Sequence, residues 1–396
     1  MTDAINPAPP RVRIQSVDIL RGLVIVLMAL DHTRDYFHLS GYALDPINPD
    51  QSNPILYITR WVTHFCAPTF VFLAGVSAWL QFEQGKSRAA LSRFLLTRGL
   101  WLVFLEITVV SFGWAFAAPW MFFLQVIWAI GWSMVLLGAL IWLPRLWVLA
   151  IGIVIIAGHN AVSSIPPERF GAFATLYQYA FTPAIVQVGE QPIGFNPYPV
   201  IPWLGIMAAG YGAGALFTME KNARWFYALG AGLIALFFAL RFVNMYGDPQ
   251  PWSVRGDDAR TIMSFFNVAK YPPSLMYVCA TLGPMLMLVP LFERLKGPLA
   301  DWFKTYGAVP LFAYVLHIYL VHALSLAAAA ATGRDLDFQF NFIQNIFVAP
   351  QLFDGWGFPL YVTYLAWALV LAILYPLCRW WGTMKKRHRS WWMSYL

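Results

Sequence analysis

Charged side chains are scarce in this sequence of 396 residues. Asp, Glu, Lys and Arg make up 11% of the chain, whereas soluble domains average about 25%. Hydrophobic residues make up 59%, and the mean hydropathy is +0.59. This composition excludes an ordinary soluble domain and predicts a chain embedded in a lipid bilayer.

Cysteine is also rare, with three residues at Cys66, Cys279 and Cys378. Each lies in or beside a different apolar run, and no CxxC or Cys/His spacing is present, so neither a disulfide framework nor a zinc site is indicated. A Walker loop, a GxGxxG turn after a strand and an HExxH motif are missing as well. We therefore expect no bound metal. The sequence has no obvious internal repeat, which disfavours an inverted-repeat transporter.

What the sequence has instead is a series of continuous apolar runs. A membrane-spanning helix needs about 20 apolar residues, and barrel strands would alternate in polarity. We therefore predict an all-α, polytopic integral membrane protein with about ten transmembrane helices. The fifth span is short, so we expect it to be tilted or re-entrant. The predicted spans are 17–38, 58–82, 91–113, 119–142, 146–158, 200–218, 223–243, 272–292, 306–331 and 359–381.

Positive charge is divided unevenly between the two sides of this topology. Of the 26 Lys and Arg residues, 17 fall on the side of the termini and Arg21 lies inside the first span. The other eight are Arg34, Arg60, Arg169, Arg241, Arg255, Arg260, Lys270 and Arg334. Because basic residues favour cytoplasmic segments, both termini are predicted to be cytoplasmic. The chain then divides into a polar segment 1–16, a transmembrane domain 17–381 and a basic tail 382–396.

The long connections all lie on the predicted outer side. They are 38–57, 159–199, 244–271 and 332–358, and they are rich in Pro, Asn, Asp and aromatic residues. Loops of this length in a compact protein are usually functional or disordered, and the aromatic content favours a lid or binding surface. The net charge of +7 and the KKRHR tail are typical of an anchor beside anionic lipid, so no nucleic-acid partner is expected.

One face of the first span carries costly polar groups. Within SVDILRGLVIVLMALDH, Arg21 and His32 are eleven residues apart. That spacing is three helical turns plus about 20°, so both side chains share a face and lie roughly 16 Å apart along the axis. Asp18 and Asp35 belong to the same stripe. Polar groups at such depths in a membrane indicate a functional site by default.

The outer end of that span, D-H-T-R-D-Y-F-H, has the composition of a general-base site. A carboxylate beside an imidazole fixes its tautomer and stabilises its cation. Helical spacing favours Asp35 over the adjacent Asp31 as the group that orients His32. A solvated helix end with ion pairs is the alternative explanation, most of all for Arg34 and His38.

Six further residues are candidates for lining the site. Pro68 predicts a kink about one turn from His64, although a core histidine bonded to a backbone carbonyl is an equally good explanation for His64. An alternative explanation for Lys270 is a charged side chain at the outer rim of the membrane. A pair between Glu106 and Arg241 or His32 stays open. The six are His64, Glu106, Arg241, Lys270, Tyr271 and His317.

Five stretches carry a resemblance to a known family. They are SVDILRGLVIVLMALDH, THFCAPTFVFLAGVSA, NPYPVIPWLGIMAAGYGAG, KYPPSLMYVCATLGP and YGAVPLFAYVLHIYLVH. Together they resemble the bacterial membrane family related to heparan-alpha-glucosaminide N-acetyltransferase, which is placed among the transmembrane acyltransferases. The arrangement of Arg21 and His32 is also similar to that in the acyltransferase-3 membrane proteins.

The resemblance implies transfer of an acetyl group from cytoplasmic acetyl-CoA to an acceptor on the outer face of the bacterial inner membrane. A sugar amine or hydroxyl of a glycan would be such an acceptor. Arg21, with Asp18, would hold the acyl-CoA, and His32, Asp31, Asp35 and His38 are the candidates for the chemistry. In the lysosomal enzyme after which this family is named, the catalytic histidine lies in the loop after the first span. An asparagine occupies the helix end where this chain has His32. Both His32 and His38 therefore stay open.

Two other classes of function stay open from the sequence. A transporter or proton-coupled carrier also needs buried His, Glu and Arg. A non-catalytic scaffold or sensor is indicated if the stripe on the first span faces lipid or is fully ion-paired. Direct transfer and transfer through an acylated histidine both fit an acyltransferase, and a homodimer is compatible with the sequence.

Overall fold

The computed structural model describes residues 14–39, 45–118, 120–188, 191–353 and 355–388. Residues 1–13 of the predicted polar segment and residues 389–396 of the predicted basic tail lie outside the described residues, as do residues 40–44 of the first long connection.

Helices form most of the described structure, and a small sheet accompanies them. In chain order the helices are α1 (Gln15–Phe37), α2 (Pro54–Glu83), α3 (Arg88–Ala115), α4 (Val126–Leu140), α5 (Arg145–Ser163), α6 (Ala174–Phe181), α7 (Val200–Phe217), α8 (Ala223–Val243), α9 (Asp258–Phe266), α10 (Leu275–Arg294), α11 (Pro298–Gly307), α12 (Pro310–Ala331), α13 (Phe342–Val348) and α14 (Leu360–Arg387). The strands are β1 (Phe122–Phe123), β2 (Ala184–Val188) and β3 (Gln191–Asn196).

The fold class predicted from composition is confirmed. Eight helices are long and apolar enough to cross a bilayer, namely α2, α3, α5, α7, α8, α10, α12 and α14. The apolar helix α4 has 15 residues, and α1 has 23 residues that include five charged ones. These ten helices coincide with the ten predicted spans, so the protein is an all-α polytopic membrane protein.

Several predicted boundaries are wrong. The last helix, α14, continues to Arg387 and so passes the predicted end at 381. The fourth helix begins at Val126 instead of 119, because Phe122–Phe123 forms β1. The fifth is not short, since α5 has 19 residues and continues through His159 to Ser163. The ninth predicted span contains the end of α11 and then α12, because Val309, which precedes Pro310, is not helical. A residue before proline is driven out of the helical region by the proline ring.

Helix α1 lies inside the helix bundle. It packs against α2, α10, α11, α12 and α14, and 19 of its 23 residues are buried. The backbones of α1 and α11 approach so closely that a Cβ on Gly22 would lie 1.9 Å from the carbonyl oxygen of Phe303. Small residues permit such close helix contacts in membranes. The polar stripe of α1 therefore faces protein and not lipid.

Helix α2 is interrupted near Pro68, as the sequence predicts. Residues Val62–Phe65 form a 3-10 turn within it. In a regular helix the amide of residue 68 would donate to the carbonyl oxygen of His64, but proline has no N–H. The hydroxyl of Tyr277 on α10 donates to that carbonyl oxygen instead, at 2.8 Å. The kink is thus satisfied by a neighbouring helix.

A three-stranded sheet, which the sequence did not predict, determines where α4 begins. Strand β3 is central, parallel to β1 and antiparallel to β2. The amide of Leu124, just after β1, donates to the carbonyl oxygen of Phe195 at 2.9 Å. Residue Gln125 then precedes the first turn of α4. The sheet therefore fixes the chain beside the end of the bundle that carries His32.

Candidate active site

His32 is joined to His317 at the centre of the bundle. Both imidazoles are buried, and His32 Nδ1 lies 2.7 Å from His317 Nε2. His317 Nδ1 lies 3.1 Å from the carbonyl oxygen of Ala313, one turn earlier on α12. A helical segment 285 residues away in sequence thus supplies the partner of His32.

This chain of contacts assigns the tautomers of a neutral pair. A carbonyl oxygen only accepts, so His317 Nδ1 must donate to Ala313 and its Nε2 must accept. His32 Nδ1 therefore carries the proton and donates to His317. In a neutral imidazole the other nitrogen then has a free lone pair. His32 Nε2 is consequently the basic atom, which is the state that a general base requires.

The residues that flank His32 form a buried ion-pair cluster. Asp31 Oδ2 lies 2.8 Å from Arg60 Nη1 and 3.9 Å from Lys270 Nζ, and Asp31 Oδ1 lies 3.1 Å from Arg34 Nη1. Arg34 also pairs with Asp35. Helical spacing favoured Asp35 as the orienter of His32, but His32 Nδ1 contacts His317. Asp31 links α1 to α2 and to the segment before α10.

A small cavity of about 20 Å³ lies beside His32. That volume holds about one water molecule. Its walls combine polar and apolar side chains from five parts of the chain: Met28, Asp31, His32, Cys66, Ala67, Phe70, Gln125, Val126, Tyr198 and Lys270. His38 is not among these described wall residues. A reacting group placed here would meet His32 directly.

A larger cavity of about 290 Å³ lies on the Arg21 side of the same helices. Arg21, Arg98 and Lys385 are its basic residues, and most of its other walls are apolar side chains of α2, α3 and α4. Phe70 and Val126 line both cavities. The two spaces therefore adjoin across these two side chains.

Arg21 is held in place at the larger cavity by its neighbours. Its guanidinium donates to the hydroxyl of Ser77 on α2, and it lies 3.8 Å from Asp18 Oδ1. The ring of Tyr314, which lines the cavity, is 5.7 Å from the ring of His317. The stripe predicted on α1 thus has a cation at one cavity and an imidazole at the other.

Three of the other predicted site residues, Lys270, Tyr271 and His64, have surroundings that the structure defines. Lys270 is buried in the cavity wall and not at a membrane rim, and the ring of Tyr271 packs edge-on against Tyr198 at 5.1 Å. His64 is buried, and neither ring nitrogen has a hydrogen-bond partner in the part of the chain that the structure describes. It is therefore not the carbonyl-bonded core histidine that the sequence allowed.

Glu106 and Arg241 have separate partners. Glu106 Oε2 accepts from the amide of Trp128 in the first turn of α4, at 3.1 Å. Arg241 donates to the carbonyl oxygens of Phe265, Ser264, Asn267 and Gln250. Its guanidinium therefore joins the end of α8 to the segment that follows it. Neither contact involves the pairing that the sequence left open.

His38 follows the last residue of α1 and pairs with Phe358 in a parallel β-bridge. Burial, reinforced by the nearby Arg34 cation, lowers the pKa of its imidazole to about 4. His38 is thus neutral at pH 7, so charge does not separate it from His32 as a candidate base. Their positions do separate the two histidines, because His32 lines the small cavity and His38 is not among its described wall residues.

Several residues of the candidate site were missed in the sequence, and Arg60 and Gln125 are two of them. Arg60 pairs with Asp31 and Gln125 lines the small cavity. Arg60 precedes His64 by one helical turn in RWVTH, and a charged residue beside an apolar run was the available signal. Gln125 had no such signal, because its place depends on the pairing of β1 with β3. Among the described residues, no three His, Cys, Asp or Glu side chains converge as metal ligands would.

Comparison with models of protein families matches residues 13–243 to the family described as heparan-alpha-glucosaminide N-acetyltransferase, catalytic. The match covers more than half of the chain. The chain belongs to this family. It is therefore a member of a transmembrane acyltransferase family, as the resemblance of its motifs implied. No curated protein matches the chain by sequence.

The N-acetyltransferase match ends with the last residue of α8. It includes Arg21, His32 and Gln125, whereas Lys270 and His317 follow it. The second half of the candidate site is thus contributed by helices beyond the matched residues.

Proposed function

We propose that this protein transfers an acetyl group from acetyl-CoA to a hydroxyl or amine acceptor on the opposite side of the membrane. The observation that carries the proposal is the pair of adjoining cavities, with Arg21 at one and the His32–His317 pair at the other. Family membership supports the reaction class. The scaffold hypothesis required the stripe on α1 to face lipid or to be fully ion-paired. The stripe is buried in protein, and its His32 bonds to His317 instead of an ion-pair partner, which weighs against that hypothesis.

The larger cavity is suited to the donor. Arg21, Arg98 and Lys385 place positive charge at a space whose remaining wall is mainly apolar. Guanidinium groups bind phosphates through paired hydrogen bonds, and an apolar channel suits a thioester arm. In this proposal the phosphates of acetyl-CoA stay at the basic residues, and the thioester points past Phe70 and Val126 to His32.

The chemical step uses the lone pair of His32 Nε2. This nitrogen takes the proton of the acceptor hydroxyl or amine, and the acceptor atom forms a bond to the thioester carbonyl carbon. The carbonyl electron pair moves to its oxygen. When that oxyanion collapses, the C–S bond breaks and the thiolate takes the proton back from the His32 imidazolium. His317 takes the orienting role that helical spacing gave to Asp35.

The direction of transfer follows from the distribution of charge. Basic residues favour cytoplasmic segments, so the Arg21 end of α1 and both termini would face the cytoplasm of a bacterial inner membrane. His32 would then lie toward the outer face, where a glycan amine or hydroxyl is a suitable acceptor. The long connections at this end, with β2, β3, α9 and α13, would form its binding surface.

Purified protein with radiolabelled acetyl-CoA tests this proposal. Wild type should bind the donor and cleave it slowly. Arg21→Ala should raise the dissociation constant about tenfold or more, since a hydrogen bond to a charged group contributes about 1.5–3 kcal/mol. His32→Ala should bind normally but lose about 10²–10⁴-fold in cleavage rate, as expected for loss of a general base.

Two further histidine variants serve as controls for His32→Ala. His388 is exposed, so His388→Ala should match wild type. His38→Ala should also retain most of the cleavage rate, because His38 is not in the described wall of the small cavity. The proposal is wrong if wild type binds no acyl-CoA, or if His32→Ala cleaves acetyl-CoA at the wild-type rate.

A further inference from the structure

Gln125 carries a buried hydrogen-bond donor that the protein itself does not use. Its side chain is 6% exposed and lines the small cavity beside His32. Its Nε2 atom is fully buried and has no hydrogen-bond partner among the described residues. Leaving a buried donor unsatisfied lowers the stability of a protein. Such a group in a cavity beside a candidate base is suited to a ligand atom that accepts.

The backbone around Gln125 holds this side chain in place. Leu124 is bonded to Phe195 of β3, and the carbonyl oxygen of Gln125 accepts from Ala129 in the first turn of α4. The side chain does not cap α4. The backbone around Gln125 is therefore fixed, and its side-chain Nε2 atom is left without a partner among the described residues, in a residue that lines the cavity.

One backbone donor in the first turn of α4 is already engaged. Glu106 Oε2 already accepts from the amide of Trp128, at 3.1 Å. A carboxylate at a helix N-terminus also offsets the positive end of the helix dipole. The amide of Trp128 is therefore engaged, whereas the side chain of Gln125, just before α4, keeps a donor without a partner among the described residues.

We propose that Gln125 Nε2 donates to the oxyanion that forms on the thioester oxygen when the acceptor attacks. This role rests on the acyl transfer proposed above. As the acceptor atom bonds to the carbonyl carbon, the carbonyl electron pair moves to oxygen, and the Gln125 N–H stabilises that charge until the C–S bond breaks. Lys270, in the same wall, adds positive charge beside it.

The magnitude expected of such a donor is large. Removing one oxyanion-hole donor typically lowers the rate of the chemical step by about 10²–10³-fold. Binding of the ground-state thioester should change little, because negative charge on the oxygen develops only in the transition state. Gln125 therefore affects the rate of cleavage and not the dissociation constant of acetyl-CoA.

Gln125→Met tests the inference, because methionine has a similar length and no donor. We expect single-turnover cleavage of acetyl-CoA to fall about 10²–10³-fold with an unchanged dissociation constant. The melting temperature of the ligand-free protein should stay the same or rise, because the unsatisfied donor is gone. Gln125→Asn keeps an amide and should retain part of the rate. Gln187→Met makes the same change at an exposed position on β2 and should match wild type.

The outcomes separate the two proposals. If wild type cleaves acetyl-CoA and Gln125→Met cleaves it equally fast, the role of Gln125 is refuted and the acyltransferase proposal stands. A lower melting temperature of Gln125→Met with a matching loss of donor binding also refutes it, because the residue is then structural. If wild type neither binds nor cleaves acetyl-CoA, the acyl transfer fails and the role of Gln125 fails with it.

Discussion

At the scale of single residues, the site depends on which nitrogen of each imidazole carries a proton. The carbonyl oxygen of Ala313 determines the tautomer of His317, and His317 determines that of His32. A charged cluster around Asp31 surrounds this neutral pair. The pair therefore leaves one lone pair, on His32 Nε2, for the proton removal that we propose.

Substitution of His317 should slow the reaction without weakening donor binding. His317→Leu removes the acceptor of the His32 Nδ1 proton, so His32 loses its fixed tautomer and ring orientation. We expect cleavage of acetyl-CoA to fall at least about tenfold, which is less than the roughly 10²–10⁴-fold expected when the general base itself is lost. His317→Gln should retain more activity, because its amide oxygen can accept the same proton. Equal rates for His317→Leu and wild type in single-turnover measurements would exclude the orienting role.

At the scale of helices, proline and glycine positions determine how closely the elements pack. Pro68 deprives the His64 carbonyl of its helical donor, and Tyr277 replaces that donor from α10. Gly22 allows the α1 backbone to touch that of α11 beside Phe303. The Tyr277 hydrogen bond and the Gly22 contact both position helices that carry residues of the candidate site.

Tyr277→Phe should lower the free energy of unfolding by about 1–3 kcal/mol, the cost of leaving a buried carbonyl without a partner. In a Pro68→Ala background the new amide at residue 68 can donate to the His64 carbonyl. In that background, Tyr277→Phe should lower the free energy of unfolding by a smaller amount. Denaturant titration of the four proteins in mixed micelles measures this coupling. An equal cost of Tyr277→Phe in both backgrounds would show that the hydroxyl does not replace the missing helical donor.

Gly22→Ala should destabilise the bundle, because the added Cβ would lie 1.9 Å from the Phe303 carbonyl oxygen. Overpacking of this kind costs about 1–3 kcal/mol or more, so we expect a lower melting temperature. Gly232→Ala on α8 is the matched control, since a Cβ there meets nothing within 4 Å and alanine favours helix over glycine. Its melting temperature should be unchanged or higher. Similar melting temperatures for the two variants would contradict this packing.

Local sequence patterns predicted the helices well, and the non-local contacts poorly. The apolar run of α1 and the shared face of Arg21 and His32 follow from helical geometry alone. The partner of His32 does not, because His317 is 285 residues away and no spacing rule connects them. Gln125 is similar, since its place depends on a strand pairing between residues 122–123 and 194–195. The same pairing moved the start of α4 from the predicted residue 119 to Val126.

At the scale of the whole molecule, the site is polarised across the bundle. Arg21 and the larger cavity lie toward one end of α1, and His32 with the smaller cavity lies toward the other. The excess of basic residues on the side of the termini predicts that the Arg21 end faces the cytoplasm. A donor from the cytoplasm and an acceptor from outside would then meet at His32 without sharing an entrance.

Following the acetyl group across a sealed membrane tests this account most directly. Inverted membrane vesicles present the cytoplasmic face to bulk solution, where radiolabelled acetyl-CoA is added, with glucosamine sealed inside as a probe acceptor. We predict that wild-type protein delivers the labelled acetyl group to the lumen and leaves free CoA outside, and that His32→Ala does not. Label confined to the bulk solution, or equal delivery by His32→Ala, would contradict the account.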